Sequence, residues 1–358
     1  MDKLPPLGKI HPEFFNKVIY PRLGKKDPSV IVKPQSGVDF GVVDLGDQVM
    51  VLSTDPFYIA KELGIERAAW FAVHILASDV AVSGIRPRYL SIDLNLPPEM
   101  TERELVRMWK AVHLECKKLG ISVVTGHTAR YAGCNYPMVG GATVFGIGKK
   151  EELIIPRCAV GDAIIVSKGP AIETTGLMAA YFPEFLKKEY GQVFVKKAQD
   201  VYYQMSTVKD ALVAAACGGV TAMHDATEGG VLGGLFEMAQ YSCAGMRVYL
   251  DEMVLQEEVE KTCACFDIDP YIAISEGTLL ATAERKSAAH VVASLKKEGI
   301  PAGIVGEVVP FKEGLTIFDK GRRYELKHPK TDPFWSKFEE YLKKQKSNPE
   351  RVDIPDTI

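Results

Sequence analysis

The sequence predicts an α+β protein built from two halves of similar size. Its 358 residues exceed what one ordinary hydrophobic core organises. Short β-type runs alternate with amphipathic helical stretches, and the alternation restarts after the turn-rich segment IIPRCAVGD. The composition, 47% hydrophobic and 25% charged, is that of an ordinary globular chain. A formal charge of −3 gives no reason to expect a nucleic-acid or anionic-membrane partner. The opening MDKLPPLGKIHPEFF lacks the apolar core of a signal peptide, and no apolar run spans a bilayer without interruption. A cytoplasmic protein is therefore expected.

In the first half, strands are expected at 42–44 and 49–54, joined by the hairpin-like turn LGDQ. An apolar helix follows over 66–83, then a strand at 89–94. In PPEMTERELVRMWKAVHLECKKLG, Thr101 and Glu104 make a capping box. Leu105, Met108, Val112 and Cys116 make one buried face, and Gly120 ends the helix. ISVVTG and MVGGATVFGIG read as two further strands. The second half has strand AIIVSKG, helices over 175–182 and 195–216, and a strand at 246–250. Strand GTLLATA, a helix over 287–298, strand GIVGEVV and hairpin LTIFDKGRRYEL complete it. The expected division is 1–154, 155–328 and a charged, helical tail at 329–358 that frays over its last ten residues.

The chemistry concentrates in a few segments. In HDATEGGVLGGLFEMA, Asp225 precedes a helix whose Val231, Leu235, Met238 and Ser242 share one face. Thr227 or Glu228 is placed to cap it, and Gly229 and Gly230 leave its N-terminus open to an anion. Asp39 and Asp55 stand at strand ends. Asp79 lies in a helix apolar on nearly every side, so it needs a partner: a metal, or Arg86 or Arg88. Hard carboxylate oxygens suit Mg²⁺ carried by a nucleotide phosphate. His127 and Thr128 fall in VVTGHTARY, read as a strand ending in a Gly-His-Thr turn. His127 reads either as a turn residue or as a metal, phosphate or acid–base group. Gly169, Thr174, Thr175 and Gly176 open a helix and could cradle a phosphate, although no G-K-[ST] follows. No G-x-G-x-x-G follows the first strand, which excludes a Rossmann site. Of the seven cysteines, Cys116, Cys217 and Cys243 read as small core residues. Cys263 and Cys265 lack a second pair at zinc spacing, Cys134 lies in the loop after His127, and no disulfide is expected.

The segments GVDFGVVDLGDQVMVLSTD, ILASDVAVSGIRPRYLS, VVTGHT, DATEGGVLGGLFEMA and SEGTLLATA resemble, in this order, the AIR synthetase (PurM) superfamily. Its relatives include the hydrogenase maturation protein HypE, thiamine-monophosphate kinase and selenophosphate synthetase, and the last two segments are most similar to HypE. The resemblance implies an N-terminal domain that closes a β-barrel across a homodimer interface, with a C-terminal α/β domain beside it. It implies ATP and Mg²⁺ in the interdomain cleft and an enzyme that phosphorylates or activates an oxygen of a small molecule. By position, Asp39, Asp55, Asp79 and Asp225 would hold the metal. Thr128, Thr227, Glu228, Gly229 and Gly230 would bind the nucleotide, and Asp225 and His127 would be catalytic. His127 stands where many relatives have Asp in a G-D-T turn. HypE enzymes end in a cysteine that carries a carbamoyl group. This chain ends RVDIPDTI with Cys265 its last cysteine, so a separate acceptor is expected. The alternatives are AIR synthetase itself or a non-catalytic nucleotide-binding partner in metallocentre assembly.

Overall fold

A computed structural model describes residues 10, 12–35, 37–329 and 331–347; the expected fraying of the last ten residues falls outside these. Two mixed sheets organise the chain. After a short turn α1 (Pro12–Phe14) come β1 (Val30–Val32), β2 (Gly41–Asp44), β3 (Gln48–Tyr58) and α2 (Ile65–Ala81). β4 (Tyr89–Leu96), α3 (Glu102–Leu119), β5 (Ser122–Arg130) and β6 (Met138–Lys149) follow. The strand order is β1-β2-β3-β6-β4-β5, antiparallel except for the parallel pair β4–β5. The sheet is open: among the described residues no strand joins its outer strands β1 and β5 into a barrel.

The second half holds β7 (Ala163–Ser167), α4 (Ile172–Tyr181), α5 (Pro183–Tyr190), α6 (Gln192–Asp200), α7 (Val208–Ala216) and β8 (Val220–Asp225). α8 (Gly230–Ser242), β9 (Gly245–Tyr249), α9 (Glu257–Phe266), β10 (Leu279–Ala283) and α10 (Arg285–Lys297) come next. β11 (Ala302–Val309), β12 (Leu315–Asp319), β13 (Arg322–Glu325) and α11 (Pro333–Ser347) end it. Its order is β13-β12-β9-β11-β7-β10-β8. β7 and β10 are buried at every position, as central strands covered on both faces must be.

Local signals hold where the backbone decides. Thr101 accepts from the Glu104 amide at 3.2 Å while the Glu104 carboxylate accepts from the Thr101 amide at 2.7 Å. Gly120 closes α3 in the left-handed region. Tertiary packing overrides them elsewhere. The helix expected over 195–216 is broken into α6 and α7, because the intervening turn buries Tyr202 completely and the Thr207 amide turns to donate to Ser78 Oγ of α2 at 3.0 Å. The expected Gly-His-Thr turn is instead strand: β5 continues through it to Arg130, paired with β4 as Asp93↔His127 and Leu94↔Thr128. Cys116 is buried as expected, but Cys243 is exposed, in a left-handed position after α8. All seven cysteines are free. Among the described residues no helix is long and apolar enough to cross a membrane.

The start of α8 is also different from expectation. Neither Thr227 nor Glu228 is its N-cap; that position is Gly229, with φ +81° and no capping side chain of its own. The cap comes from far along the chain. Asp332 accepts from the Gly229 amide and from the Phe334 amide, each at 2.9 Å, so one carboxylate joins α8 to the first turn of α11. Burial pushes its pKa up to about 6 against the pull of these amides. Asp332 therefore binds its proton more tightly folded than unfolded, and its contribution to stability falls as pH rises from about 4 to about 6. In Asp332→Asn the acceptor remains and the buried charge is gone. Urea titrations should show the variant gaining on the parent by roughly 1–3 kcal/mol between pH 4 and pH 8. A difference that does not change with pH would sink this account.

Candidate active site

The site lies in the seam between the two sheets, where the end of β8 meets the loop before β2 and the buried face of α2. Gly37, with φ +75°, turns the chain against α8; a Cβ there would meet the Glu237 carbonyl at 3.1 Å. This brings Asp39 onto His224. The imidazole Nδ1 lies 2.6 Å from Asp39 Oδ2, and Nε2 lies 3.2 Å from Glu237 Oε2. Burial alone would lower the His224 pKa, but the two carboxylates outweigh it and raise it well above the usual value. His224 thus bridges the first half's Asp39 and the second half's α8.

Asp225 is the next residue and is fully buried. Among the described residues no amide, hydroxyl or cationic group donates to its carboxylate oxygens, which face the carboxyls of Asp39 and Glu276. Ligand atoms of Asp39, His224 and Asp225 all lie within 4.8 Å of one another. Burial, then the Asp39 charge, push the Asp225 pKa up to about 7, with His224 pulling the other way. Asp79 faces the same place from α2. Its Oδ2 accepts from Ser53 Oγ of β3 at 2.6 Å, and among the ion pairs of the described residues none joins it to Arg86 or Arg88. Burial, then the charges of Asp225, Asp55 and Asp39, raise its pKa well above the ordinary carboxylate range. Asp55 is half-buried on β3, two residues from Ser53 on the same face of the strand. The four acids singled out in the sequence, Asp39, Asp55, Asp79 and Asp225, therefore converge. Glu276, which lies in the SEGTLLATA segment but was not singled out there, joins them: it is buried against Asp225, and burial followed by the charges of Asp225 and Asp79 raises its pKa well above the ordinary carboxylate range.

Buried carboxylates facing one another without a neutralising side chain are what an oxygen-coordinated divalent cation requires. The donor set fits Mg²⁺. His224 does not add to it, since both ring nitrogens are committed to Asp39 and Glu237.

Other expected site residues lie elsewhere. His127 and Thr128 are exposed on β5, three strands away from Asp55 on β3, and His127 Nε2 lies 2.8 Å from the Tyr131 hydroxyl. The proposed phosphate loop is a packing element. Thr174 and Thr175 are buried inside α4, and Thr174 Oγ1 donates to the Ile274 carbonyl at 2.8 Å. A Cβ on Gly176 would sit 2.7 Å from Tyr202 Cα, and one on Gly169 would overlap the Val254 carbonyl. Lys168, beside that loop, is buried against Asp210 at 3.0 Å and donates to the carbonyls of Gln204, Ser206 and Gly277. Thr227 and Glu228 are half-buried beside the acids. Gly229 donates to Asp332, so the open anion seat expected at Gly229 and Gly230 is closed by the chain itself. Gly230 packs flat on the loop before β10, where a Cβ would meet the Ala273 carbonyl at 2.6 Å.

Models of the AIR synthase related protein family match the chain twice, the N-terminal domain over residues 37–148 and the C-terminal domain over residues 159–317. A putative hydrogenase expression/formation protein of Methanocaldococcus jannaschii is 23% identical over 318 residues, 87% of this chain and 91% of that protein. A carbamoyl dehydratase HypE of Rhizobium leguminosarum bv. viciae is 24% identical over 296 residues, 76% of this chain and 78% of its own length. The solved structure of hydrogenase maturation protein HypE in complex with ATP shares the fold, with a TM-score of 0.64 at 21% identity over 90% of this chain and 93% of that one. The two sheets and the seam between them are thus the two-domain α+β fold of that structure. With both domain models matched over most of its length, the chain belongs to the AIR synthase related protein family.

Proposed function

We propose that this protein is a Mg²⁺-dependent enzyme that uses ATP to phosphorylate, and thereby activate, an oxygen of a small molecule. The observation that carries this is the Asp225 carboxylate, fully buried with no amide, hydroxyl or cation donating to its oxygens, facing Asp39 and Asp79 across the seam. A structural core has no use for such a group, whereas a metal–phosphate ligand does. The relative named carbamoyl dehydratase and the fold shared with an ATP-bound HypE support the same reading. We further take 1–154 as the nucleotide and dimerising domain, 155–328 as the α/β domain and 329–358 as the tail.

Asp39, Asp55, Asp79 and Asp225 would hold the ion, whose chemistry is to neutralise charge on the transferring phosphoryl group. The protein's own contribution is positioning. His224 fixes one oxygen of Asp39, and Ser53 fixes one oxygen of Asp79, which orients both carboxylates toward Asp225. The buried seam keeps water from competing for the transfer. No cysteine takes part in this scheme. Cys263 is pushed up to about 12 by burial and is no nucleophile at neutral pH.

The second copy of the chain follows from β5. It is an outer strand whose side chains are exposed on both faces, Val123 by 41% and Val124 by 50%. Beside it an apolar groove is lined by Leu94, Val106, Trp109 and His113. An open strand and groove of this kind invite pairing. A homodimer would close the N-terminal sheet toward a barrel and put His127 and Thr128 at the interface.

Calorimetry should show ATP binding that requires Mg²⁺ and weakens about tenfold or more in Asp55→Asn or Asp79→Asn; unchanged affinity in both folded variants would remove these acids from the metal. Light scattering at micromolar concentration should give a dimer mass, with Val124→Asp driving it toward monomer. A strictly monomeric parent protein contradicts the interface. Asp225→Asn should lower phosphate transfer from ATP by orders of magnitude, while a folded variant with all cysteines changed to Ser or Ala keeps it. The reverse pattern would replace this mechanism with a covalent thiol route.

A further inference from the structure

A cavity of about 740 Å³ lies at the other end of β8 from the acids. Asp225 is the last residue of that strand, and Val220, its first, lines the cavity. The rise of a strand separates the two by about 16 Å. Both halves supply walls: the loop between α2 and β4 with the end of β6 on one side, the last turn of α7 with the Gly218-Gly219 turn on the other. Close approaches flatten the first wall. A Cβ on Gly84 would meet the Glu152 carbonyl at 2.8 Å, and one on Gly148 would meet Ile85 Cδ1 at 2.7 Å. Ile85 and Ile147 from the first half and Leu212 and Ala215 from the second then give the cavity an apolar lining.

Arg86 and Arg88 line the same cavity and are exposed. Pro87 between them keeps this short segment out of the helical region, so their Cα atoms stand about 6–7 Å apart. The backbone there is pinned, since the Arg88 amide donates to the Phe145 carbonyl at 3.0 Å and the Arg88 carbonyl accepts from the Ser122 amide at 2.8 Å. Among the ion pairs of the described residues none involves either arginine. The two carboxylates that line the cavity are engaged elsewhere: Glu151 faces Lys149 Nζ at 3.5 Å, and Glu152 accepts from the Lys149 amide at 2.9 Å. Two guanidinium forks on a fixed segment therefore stand beside apolar walls drawn from both halves.

We propose that this cavity binds a small organic dianion with a flat apolar body, which clamps the two halves together at the end of β8 remote from the acids. Each guanidinium offers a two-pronged donor to a carboxylate or phosphate oxygen pair. The apolar body would cover the Ile85 and Leu212 walls, and the volume is that of a small-molecule site.

The test is titration of the full chain, without added divalent cation, with four probes. Naphthalene-2,6-dicarboxylate carries its charges at two ends, and 1-naphthyl phosphate carries them on one group. Naphthalene-2-carboxylate has a single charge, and pyrophosphate has no apolar body. One of the two naphthyl dianions should bind, one per chain, with Kd at or below about 1 mM, and the tighter of them identifies the anionic group. The other two probes should bind about tenfold more weakly or worse. Arg86→Gln and Arg88→Gln should each weaken the dianion by about tenfold, with Arg→Lys at either position restoring part of it. The dianion should slow hydrogen exchange in both walls, 84–88 and 212–220, and raise the melting temperature of the parent but not of the double Gln variant. Mg²⁺-dependent ATP binding should be parental in both Gln variants; its loss would place the arginines in the nucleotide site and overturn the proposal. So would a parent chain that binds neither naphthyl dianion, parental affinity in the double Gln variant, or protection confined to one wall.

Discussion

Several carboxyl groups are buried in one seam with little positive charge to answer them, and the rest of the structure is arranged around that cost. Asp79, Asp225 and Glu276 are all deeply buried, and the pKa of each is raised first by burial and then by neighbouring carboxylate charge, that of Asp39 in the case of Asp225. Left alone, such a set repels itself and drives uptake of protons. A divalent ion bound there, as proposed, would reverse the sign of that contribution. The two halves would then be held together at the seam by a ligand as well as by packing.

The protein's own devices at the seam restrict the acids without satisfying them. His224 links Asp39 to Glu237, so the loop before β2 cannot move independently of α8. Ser53 orients Asp79 from the neighbouring strand. Lys168 gathers carbonyls from two loops and Asp210 around one ammonium group, which fixes the turn carrying Glu276. Each device spends a hydrogen bond on geometry and orients a group that faces the seam. That is the pattern of a preorganised ligand sphere, in which the reorganisation is complete before the ligand arrives.

Two helix starts illustrate how similar local sequence reaches different ends. Gly229 and Gly230 read as an anion seat, yet Asp332 from the beginning of α11 takes the Gly229 amide. The carboxylate satisfies the helix N-terminus and ties the C-terminal segment to the second sheet. The Thr-Thr-Gly stretch of α4 looked like a phosphate loop, yet its small residues serve close packing against Tyr202 and the loop before β10. In both cases a glycine was read as space for a ligand when it was space for the protein's own backbone.

The two-sheet α+β architecture, the capping box at Thr101, the Gly120 stop and the four acids that the fold brings together were legible in the sequence. Each depends on periodicity, backbone conformation or a short ordered motif, all of which are properties of neighbouring residues. The resemblance carried over Asp39, Asp55, Asp79 and Asp225 because acids at strand ends and in an apolar helix keep their spacing along the chain. What only the tertiary structure decided depends on residues far apart. The His224 bridge to Asp39 spans 185 positions, the Asp332 cap on Gly229 spans 103, and Glu276 reaches Asp225 only because β10 pairs with β8. The break between α6 and α7 belongs here too, since Ser78 of α2 supplies the hydrogen bond that makes it. His127 lies on the opposite edge of the same sheet because strand order, invisible to spacing, places β5 outermost. Sequence distance encodes local geometry, whereas burial and charge coupling follow from which surfaces meet, and that is settled only when the two sheets close on one another.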